Sequence, residues 1–390
     1  MQVKQIADLI NEITSEELGV ENPVKEDLGN IVEIGDTIAN VMGVDNWVRK
    51  LNDKIGKMVF VNRVYAGRAP SVLMDGWEYG SILEKVSAEL PEAQENESWQ
   101  LDDGVSVDPN IFYKAKVSAK CYNKRVTFEI PMSFTEIQVK SAFNSAEQMN
   151  AFVSMIYTTI SNSMTVKLDA LVMRTINNFI AETVYNDYGA NSISGSSGTR
   201  AINLLYLYNN GPNYGQTALS AAAALTDADF LRFAAKTIKL TAGHMKVMSK
   251  LFNIEGKERF TPSDRMKVVM LDEFISATEI YLYGNKDEFK AAEYAKLPDA
   301  DVVPYWQGSG TDYAFDKTGK IYCTTASGHD VTVTGVLAVV FDRDALGVTN
   351  MNPRVTTNYN PKGEFFNEWH KVDAGYFNAL DEQGVVFFVA

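Results

Sequence analysis

Residues 145–184 read SAEQMNAFVSMIYTTISNSMTVKLDALVMRTINNFIAETV, with neither glycine nor proline. Ser145 with Gln148 three positions on forms a capping box, in which side chains satisfy the first orphan backbone donors of a helix. Phe152, Ile156, Ile160, Met164, Leu168, Val172, Ile176, Ile180 and Val184 then recur at every fourth position. At 3.6 residues per turn each such step rotates the row by about 40°, so the row winds most of the way round. Met149, Val153, Leu171 and Phe179 widen it. Different sides of one helix, about 60 Å long, must therefore be buried at different points along it. The a/d repeat of a coiled coil is absent. The segment predicts a spine with other elements packed on several sides, and a kink near Asn162–Ser163.

A chain of 390 residues exceeds what one hydrophobic core usually serves, so two or more domains are expected. Hydrophobic content of 46% with 22% charged residues describes a folded globular chain. A net charge of -14 disfavours groove-reading DNA binding, which needs a concentrated basic face. The opening MQVKQIADLI has no basic segment followed by an apolar one, as a secretory signal would. The runs VLAVVF (336–341) and VVFFVA (385–390) are of buried-strand length, too short to span a bilayer. Cys121 and Cys323 make no disulfide framework and read as reduced thiols. A soluble intracellular product is expected.

Charge alternates along the first third. Val3, Ile6, Ile10 and Ile13 keep helical spacing, in a segment with nine acidic residues up to Asp36. Arg49, Lys50, Lys54, Lys57, Arg63 and Arg68 then reverse the sign. Ten acidic residues follow between Asp75 and Asp108, among them Glu78, Glu84, Glu89 and Glu92, against Lys85 alone. IFYKAKVSAKCYNKRVTFEI (111–130) is basic again through Lys114, Lys116, Lys120, Lys124 and Arg125. Residues 76–90 and 110–130 thus read as two antiparallel strands, one acidic and one basic, joined by about twenty polar residues. That is too long for an ordinary hairpin connection, and it should project from the body, where it could lie across a neighbouring subunit.

Past the spine, NDYGANSISGSSGTR (186–200) reads as a flexible loop or linker. Thr226 and Asp229 open a second helix with Phe230, Leu231, Ala234 and Ile238 on one face, ending near Gly243. KVVML (267–271), KIYCTT (320–325) and VTVTGVLAVVF (331–341) read as strands, so the second half is α+β. EFFNEWHKV (364–372) and GVVFFVA (384–390) form a closing strand pair that ties down the C-terminus.

Signatures of catalysis are missing: there is no GxxxxGK[ST], GxSxG, HExxH or CxxC. GSGTDY (308–313) lacks the third glycine of a dinucleotide loop and reads as a turn. His244, His329 and His370 are not at metal-ligand spacing and read as structural. Asp342 and Asp344 in FDRDALG read as a strand-end turn rather than a carboxylate pair. No catalytic, cofactor-binding or metal residue is assigned, and no cofactor is expected.

An N-terminal arm, a long charged hairpin, a capped long helix, a Gly/Ser break, an α+β region and terminal strands follow in that order. This resembles the major capsid proteins of tailed double-stranded DNA bacteriophages, the Hong Kong 97-like fold, over nearly the whole chain. It is most similar to those of small short-tailed phages. SFTEIQVKSAFNSAEQMNAFVSMIYTTISNS (133–163) matches the segment that introduces their spine helix. VLAVVFDRDALGVTNMNPRVTTNYNPKGEFFNEWHKVDAGYFNALDEQGVVFFVA (336–390) matches the one that closes the fold.

The resemblance implies an N-terminal arm at 1–57 and an extended loop hairpin with flanking strands at 58–130. It further implies a peripheral domain with the spine at 131–187, an axial domain at 188–350, and return strands of the peripheral domain at 351–390. Some relatives carry an immunoglobulin-like addition at the C-terminus; this chain stops at Ala390 without one. No long scaffolding segment precedes the hairpin, which implies a separate scaffolding protein, and a portal is an expected partner. The implied function is a non-enzymatic head protein of the virion capsid, assembled in the host cytoplasm. It would form pentamers and hexamers of itself in an icosahedral or prolate shell, confining DNA without reading it and without a membrane. Residues expected to meet across subunits are Arg49, Lys50, Lys54, Lys57, Arg63, Arg68, Asp75, Glu78, Glu84, Glu89, Glu92, Lys114, Lys116 and Lys120. Two alternatives remain at the level of sequence: an encapsulin-like nanocompartment shell, and a cytosolic hydrolase using Asp342 and Asp344.

Overall fold

The computed structural model describes residues 3–19, 23–41, 43–61, 68–74, 83–88, 91, 110–114, 116–189, 193–211, 218–283, 300–307, 315–316, 321–325 and 328–390. Three helices come first, α1 (Val3–Leu18), α2 (Ile31–Val41) and α3 (Val44–Val61). After β1 (Leu73–Met74) come β2 (Leu83–Ala88) and β3 (Val117–Tyr122), then β4 (Arg125–Thr135), α4 (Glu136–Ala142) and α5 (Ala146–Tyr188). The second half opens with β5 (Ala201–Asn203), α6 (Leu204–Asn209), α7 (Ala221–Ala224), α8 (Ala228–His244), β6 (Met266–Leu271) and α9 (Asp272–Tyr283). Short strands β7 (Asp301–Val303), β8 (Trp306–Gln307), β9 (Phe315–Asp316), β10 (Ile321–Thr324) and β11 (Asp330–Val333) precede β12 (Val336–Asp342), β13 (Leu346–Asn360), β14 (Phe365–Asn378) and β15 (Gly384–Phe388).

The spine is α5, 43 residues of helix, unbroken at Asn162–Ser163 where a kink was expected. Ser145 Oγ accepts from the Gln148 N–H at 3.2 Å. The reciprocal box lies one helix earlier, where Thr135 and Gln138 cap each other at the start of α4. Gly189, at φ +60°, ends the spine with the left-handed residue that favours glycine. Burial changes along it as the winding row requires. Met149, Phe152, Val153, Ile156, Ile160 and Met164 bury one side, whereas from Ala170 to Ala181 nearly every residue is buried. In and just beyond that stretch Thr175 and Thr183 turn their hydroxyls back onto the carbonyls of Leu171 and Phe179, both at 2.8 Å.

Two main sheets lie along this helix. One is ordered β1-β13-β14-β4, its centre the long β13–β14 hairpin. β14 alternates buried and half-buried positions through its first half, the mark of a strand with one face on a core. The other is ordered β5-β15-β12-β6-β7 and mixes antiparallel with parallel pairs. β12 and β15 at its centre are buried at every position, as strands covered on both faces should be. Phe179 of α5 lies so close to Gly384 that a Cβ there would collide with the ring. Buried apolar side chains from both sheets and all three N-terminal helices join one continuous core through α5.

Several sequence expectations change. The first 57 residues, read as an arm, bury Ile6, Ile10, Ile13, Trp47, Leu51 and Ile55 in that core. The 331–341 stretch is two strands in different sheets, broken at Gly335, whose φ of +66° and contact with the Val389 carbonyl leave no room for a Cβ. The terminal strands do not pair with each other: 365–378 belongs to the first sheet and 384–388 to the second. Their patterns differ for that reason, alternating for a half-buried strand and continuous for a doubly buried one. The described part of the Gly/Ser segment is tied down rather than loose. Asp187 accepts from the Arg200 and Ala201 N–H groups at 2.7 and 2.8 Å, and Tyr188 Oη accepts from Gly198 N–H at 2.9 Å. Helix α8 is capped by Asp227, not Thr226.

Candidate functional site

β2 and β3 pair antiparallel as a two-stranded ribbon separate from both main sheets. Their register sets Lys85 directly opposite Lys120. Like charges so placed repel, and the body answers with acids from the turn before β15. Lys85 Nζ lies 2.6 Å from Glu382 and 3.4 Å from Asp381, and Lys120 Nζ lies 3.3 Å from Asp381 and also pairs with Glu255. Arg259 approaches Asp381 at 3.7 Å and Glu382 at 3.5 Å, and Lys257 approaches Glu255 at 3.3 Å. The Asp381 side chain is 1% exposed. Burial alone would raise its proton affinity, but Lys85 and Lys120 outweigh that and hold the carboxyl below the usual range. Burial, then the charges of Asp381, Glu255 and Glu382, push the Tyr122 phenol up. The cluster is a clamp that fixes how the ribbon leaves the body.

Beyond the clamp the ribbon is open. Ile111, Phe112 and Tyr113, just before β3, are 55%, 86% and 74% exposed, and Val86 and Val117 are exposed as well. Such apolar exposure marks an interaction surface when it is contiguous. Between β2 and the 259–265 loop runs an open groove of about 390 Å³, with Val86, Phe260 and Pro262 among its lining.

The expected contact residues fall into three groups. Arg49 lies exposed on α3 with Lys50 half-buried beside it, and Glu84, Lys114 and Lys116 are exposed along the ribbon arms. Lys54, Arg68 and Lys120 make ion pairs within the chain. Lys54 pairs with Glu12 of α1, joining α3 to α1. Arg68 engages Asp169 of α5, its Nε donating at 2.7 Å and its backbone N–H at 2.9 Å. Arg63, Asp75, Glu78, Glu89 and Glu92, and the acidic connection itself, lie outside the described residues; Lys57 sits in α3, its side chain likewise outside them. Sequence reasoning missed Lys85, Glu255, Arg259, Asp381 and Glu382 as a unit, because three separate segments supply them. The one local signal was the pairing of Lys85 against Lys120 once a register is assumed.

Asp342 and Asp344 form the turn expected of them. The Asp344 N–H donates to Asp342 Oδ1 at 2.9 Å, and Arg265 pairs with Asp344. Among the described residues no group of three or more His, Cys, Asp or Glu could hold a metal ion, and no helix is long and apolar enough to cross a membrane.

The model of the Phi29-like phage major capsid protein family matches residues 8–388. Among solved structures, the chain is similar to one in the capsid structure of Staphylococcus phage Andhra. The identity is 10% and the TM-score 0.52, with 84% of this chain and 86% of that one covered. A chain in the structure of the head fiber and inner core protein gp22 of native bacteriophage P68 is similar over the same shares, at 10% identity and TM-score 0.50. No curated protein matches. These likenesses place the fold in the Hong Kong 97-like class, and they lend nothing to the nanocompartment or hydrolase readings. With a match across residues 8–388, the chain belongs to the Phi29-like family of phage major capsid proteins.

Proposed function

We propose that this chain is the protomer of an icosahedral or prolate head, arranged as pentamers and hexamers around packaged double-stranded DNA. The carrying observation is the clamped ribbon together with the segment before β3, in which Phe112 and Tyr113 are 86% and 74% exposed. Apolar area of that kind beside a ribbon that belongs to neither main sheet is useful once a neighbour covers it. The ribbon reaches onto the next subunit, with Glu84, Lys114 and Lys116 at the contact and Arg49 and Lys50 among the basic positions that receive an acidic connection. Lys54, Arg68 and Lys120 act from within the protomer, by holding those surfaces in place. Each exposed ion pair adds at most about 1 kcal/mol; a closed shell repeats every contact many times over.

Residues 58–130, 131–187, 188–350 and 351–390 serve as extended loop, peripheral domain, axial domain and return strands, except that β15 supports the second sheet, and residues 1–57 serve as an N-terminal segment packed on the body rather than as a free arm. The role is structural rather than enzymatic. A scaffolding protein and a portal are its assembly partners, and the acidic wall confines DNA without reading it. Sedimentation of the expressed full chain, with negative-stain microscopy of the fast fraction, is the test. Uniform closed shells are expected. A species that stays near the 43.3 kDa protomer mass, even when its scaffolding protein is co-expressed, would sink the reading.

A further inference from the structure

We propose that the outer face of the α8 C-terminal turns and the loop after it, residues 236–251, is a docking surface for an acidic face of a second copy of this chain. The inference rests on the shell-building role above and adds a contact distinct from the ribbon.

The chain carries 50 acidic against 36 basic residues, yet between Phe230 and Ile254 there are five basic residues and no acidic one. Helix α8 turns Phe230, Leu231, Ala234, Ala235 and Ile238 into the core. Its outward side therefore carries Lys236, Lys239 and Leu240, all exposed. The loop continues the same chemistry with Lys246 and Lys250 exposed, Lys250 also reaching Glu258 at 3.4 Å in a pair open to solvent. Interleaved with these cations, Leu240, Val247, Met248 and Leu251 are 51%, 65%, 44% and 61% exposed. Four large apolar side chains this open within twelve residues make a patch rather than isolated exceptions.

The surface is also preformed, so little order has to be gained on binding. Met245 is fully buried beneath the loop, and its carbonyl accepts from the Thr261 N–H at 2.8 Å. Ser249 and Arg259 exchange two backbone hydrogen bonds at 2.9 and 3.1 Å.

Charge complementarity selects the occupant. Phosphate backbones would use the lysines but not the aliphatic area, and aliphatic side chains offer no stacking platform to bases. A protein face bearing both acids and apolar groups uses both. This chain has such a face: α2 exposes Glu33 and Asp36 beside Val32 at 50%, and has no basic residue. A basic apolar face meeting an acidic apolar one is a heterologous contact, the kind that closes into rings.

The test compares full-length wild type with K246E/K250E and, separately, V247S/L251S, by thermal melting, sedimentation, negative-stain microscopy and the nucleic-acid content of the particles. Both variants should melt within about 2 °C of wild type, since exposed substitutions change stability little. Shell yield should drop at least about tenfold, a loss that needs only about 1.4 kcal/mol at the contact. Wild-type shell yield from both variants overturns the proposal and leaves the shell-building role standing. Normal shells that lose co-purifying nucleic acid overturn it in favour of a nucleic-acid surface. Absence of shells from wild type even with its scaffolding protein co-expressed removes the shell-building role, and this contact with it. Should a variant misfold, hydrogen exchange on wild type decides: amides of 244–251 are expected to be slower in shells than in protomers, and equal rates overturn the proposal.

Discussion

Glu368 and His370 stand two positions apart on the inward side of β14, both with fully buried side chains, their Oε2 and Nε2 3.7 Å apart. Asn52 of α3 donates to Glu368 Oε1. The neighbours in register bring no charge: Thr357 and Val355 on β13, Met132 and Ile130 on β4. Burial therefore dominates, pushing Glu368 from 4.5 up to about 8 despite the Asn52 bond, and His370 from 6.5 down to about 4. The signs oppose. Stability from His370 is full above 6.5 and is lost as pH falls through 4. For Glu368 it is full below 4.5 and is lost as pH rises through 8. Glu368→Gln keeps an acceptor for Asn52 and removes the second loss. It should match wild type near pH 5 and exceed it by about 2–4 kcal/mol at pH 8, allowing about 1.4 kcal/mol per pKa unit. Denaturant melts at both pH values measure this, and an unchanged difference between them would refute the assignment. EFFNEWHKV was legible as a strand, but Phe365 and Trp369 on one parity and Phe366 and Val372 on the other leave its inward face to the structure. That an acid and an imidazole share it was not legible, because composition rules place Glu outside and leave His undecided.

At the scale of elements, the clamp makes the sharpest claim. Asp381 stands between two lysines that the ribbon register forces together. Asp381→Asn removes the carboxylate that the two opposed lysines share, leaving Lys85 with Glu382 and Lys120 with Glu255, and should cost about 1.5–3 kcal/mol. The cost should fall on the ribbon, since the main sheets share no hydrogen-bonded strand with it. Amides of 83–88 and 117–122 should exchange at least about tenfold faster while those of β12 keep their rates. Equal acceleration in β12 would make Asp381 a general core residue instead. The elements themselves were legible where one periodicity ruled them: α5 from its four-residue row, α8 from its apolar face, β12 and β15 from continuous apolar runs. Sheet membership was not, because β14 and β15 are near in sequence and belong to different sheets. Only side-chain burial on one face or two distinguishes them.

For the whole molecule, the question is whether the N-terminal segment hangs from the body or belongs to it. The family resemblance implied an arm, and nine acids up to and including Asp36 offer little to a core. Yet α1 buries Ile6, Leu9, Ile10 and Ile13 to 2% exposure or less, and α3 seats Trp47, tilted at 4.8 Å against Phe143, beside the start of the spine. Lys54 pairs with Glu12 across these helices, and Asn52 reaches the first sheet. Four buried aliphatic residues at about 1.5–3 kcal/mol each amount to much of a typical domain's 5–15 kcal/mol. Deleting residues 1–18 should therefore lower the melting temperature of the unassembled protomer by more than about 10 °C, or leave the chain insoluble. It should do so before any shell is formed, because the lost contacts lie within one chain. A truncated protomer that melts within about 2 °C of the full chain would return the segment to the role of a free arm. Its contribution would then be sought only between subunits.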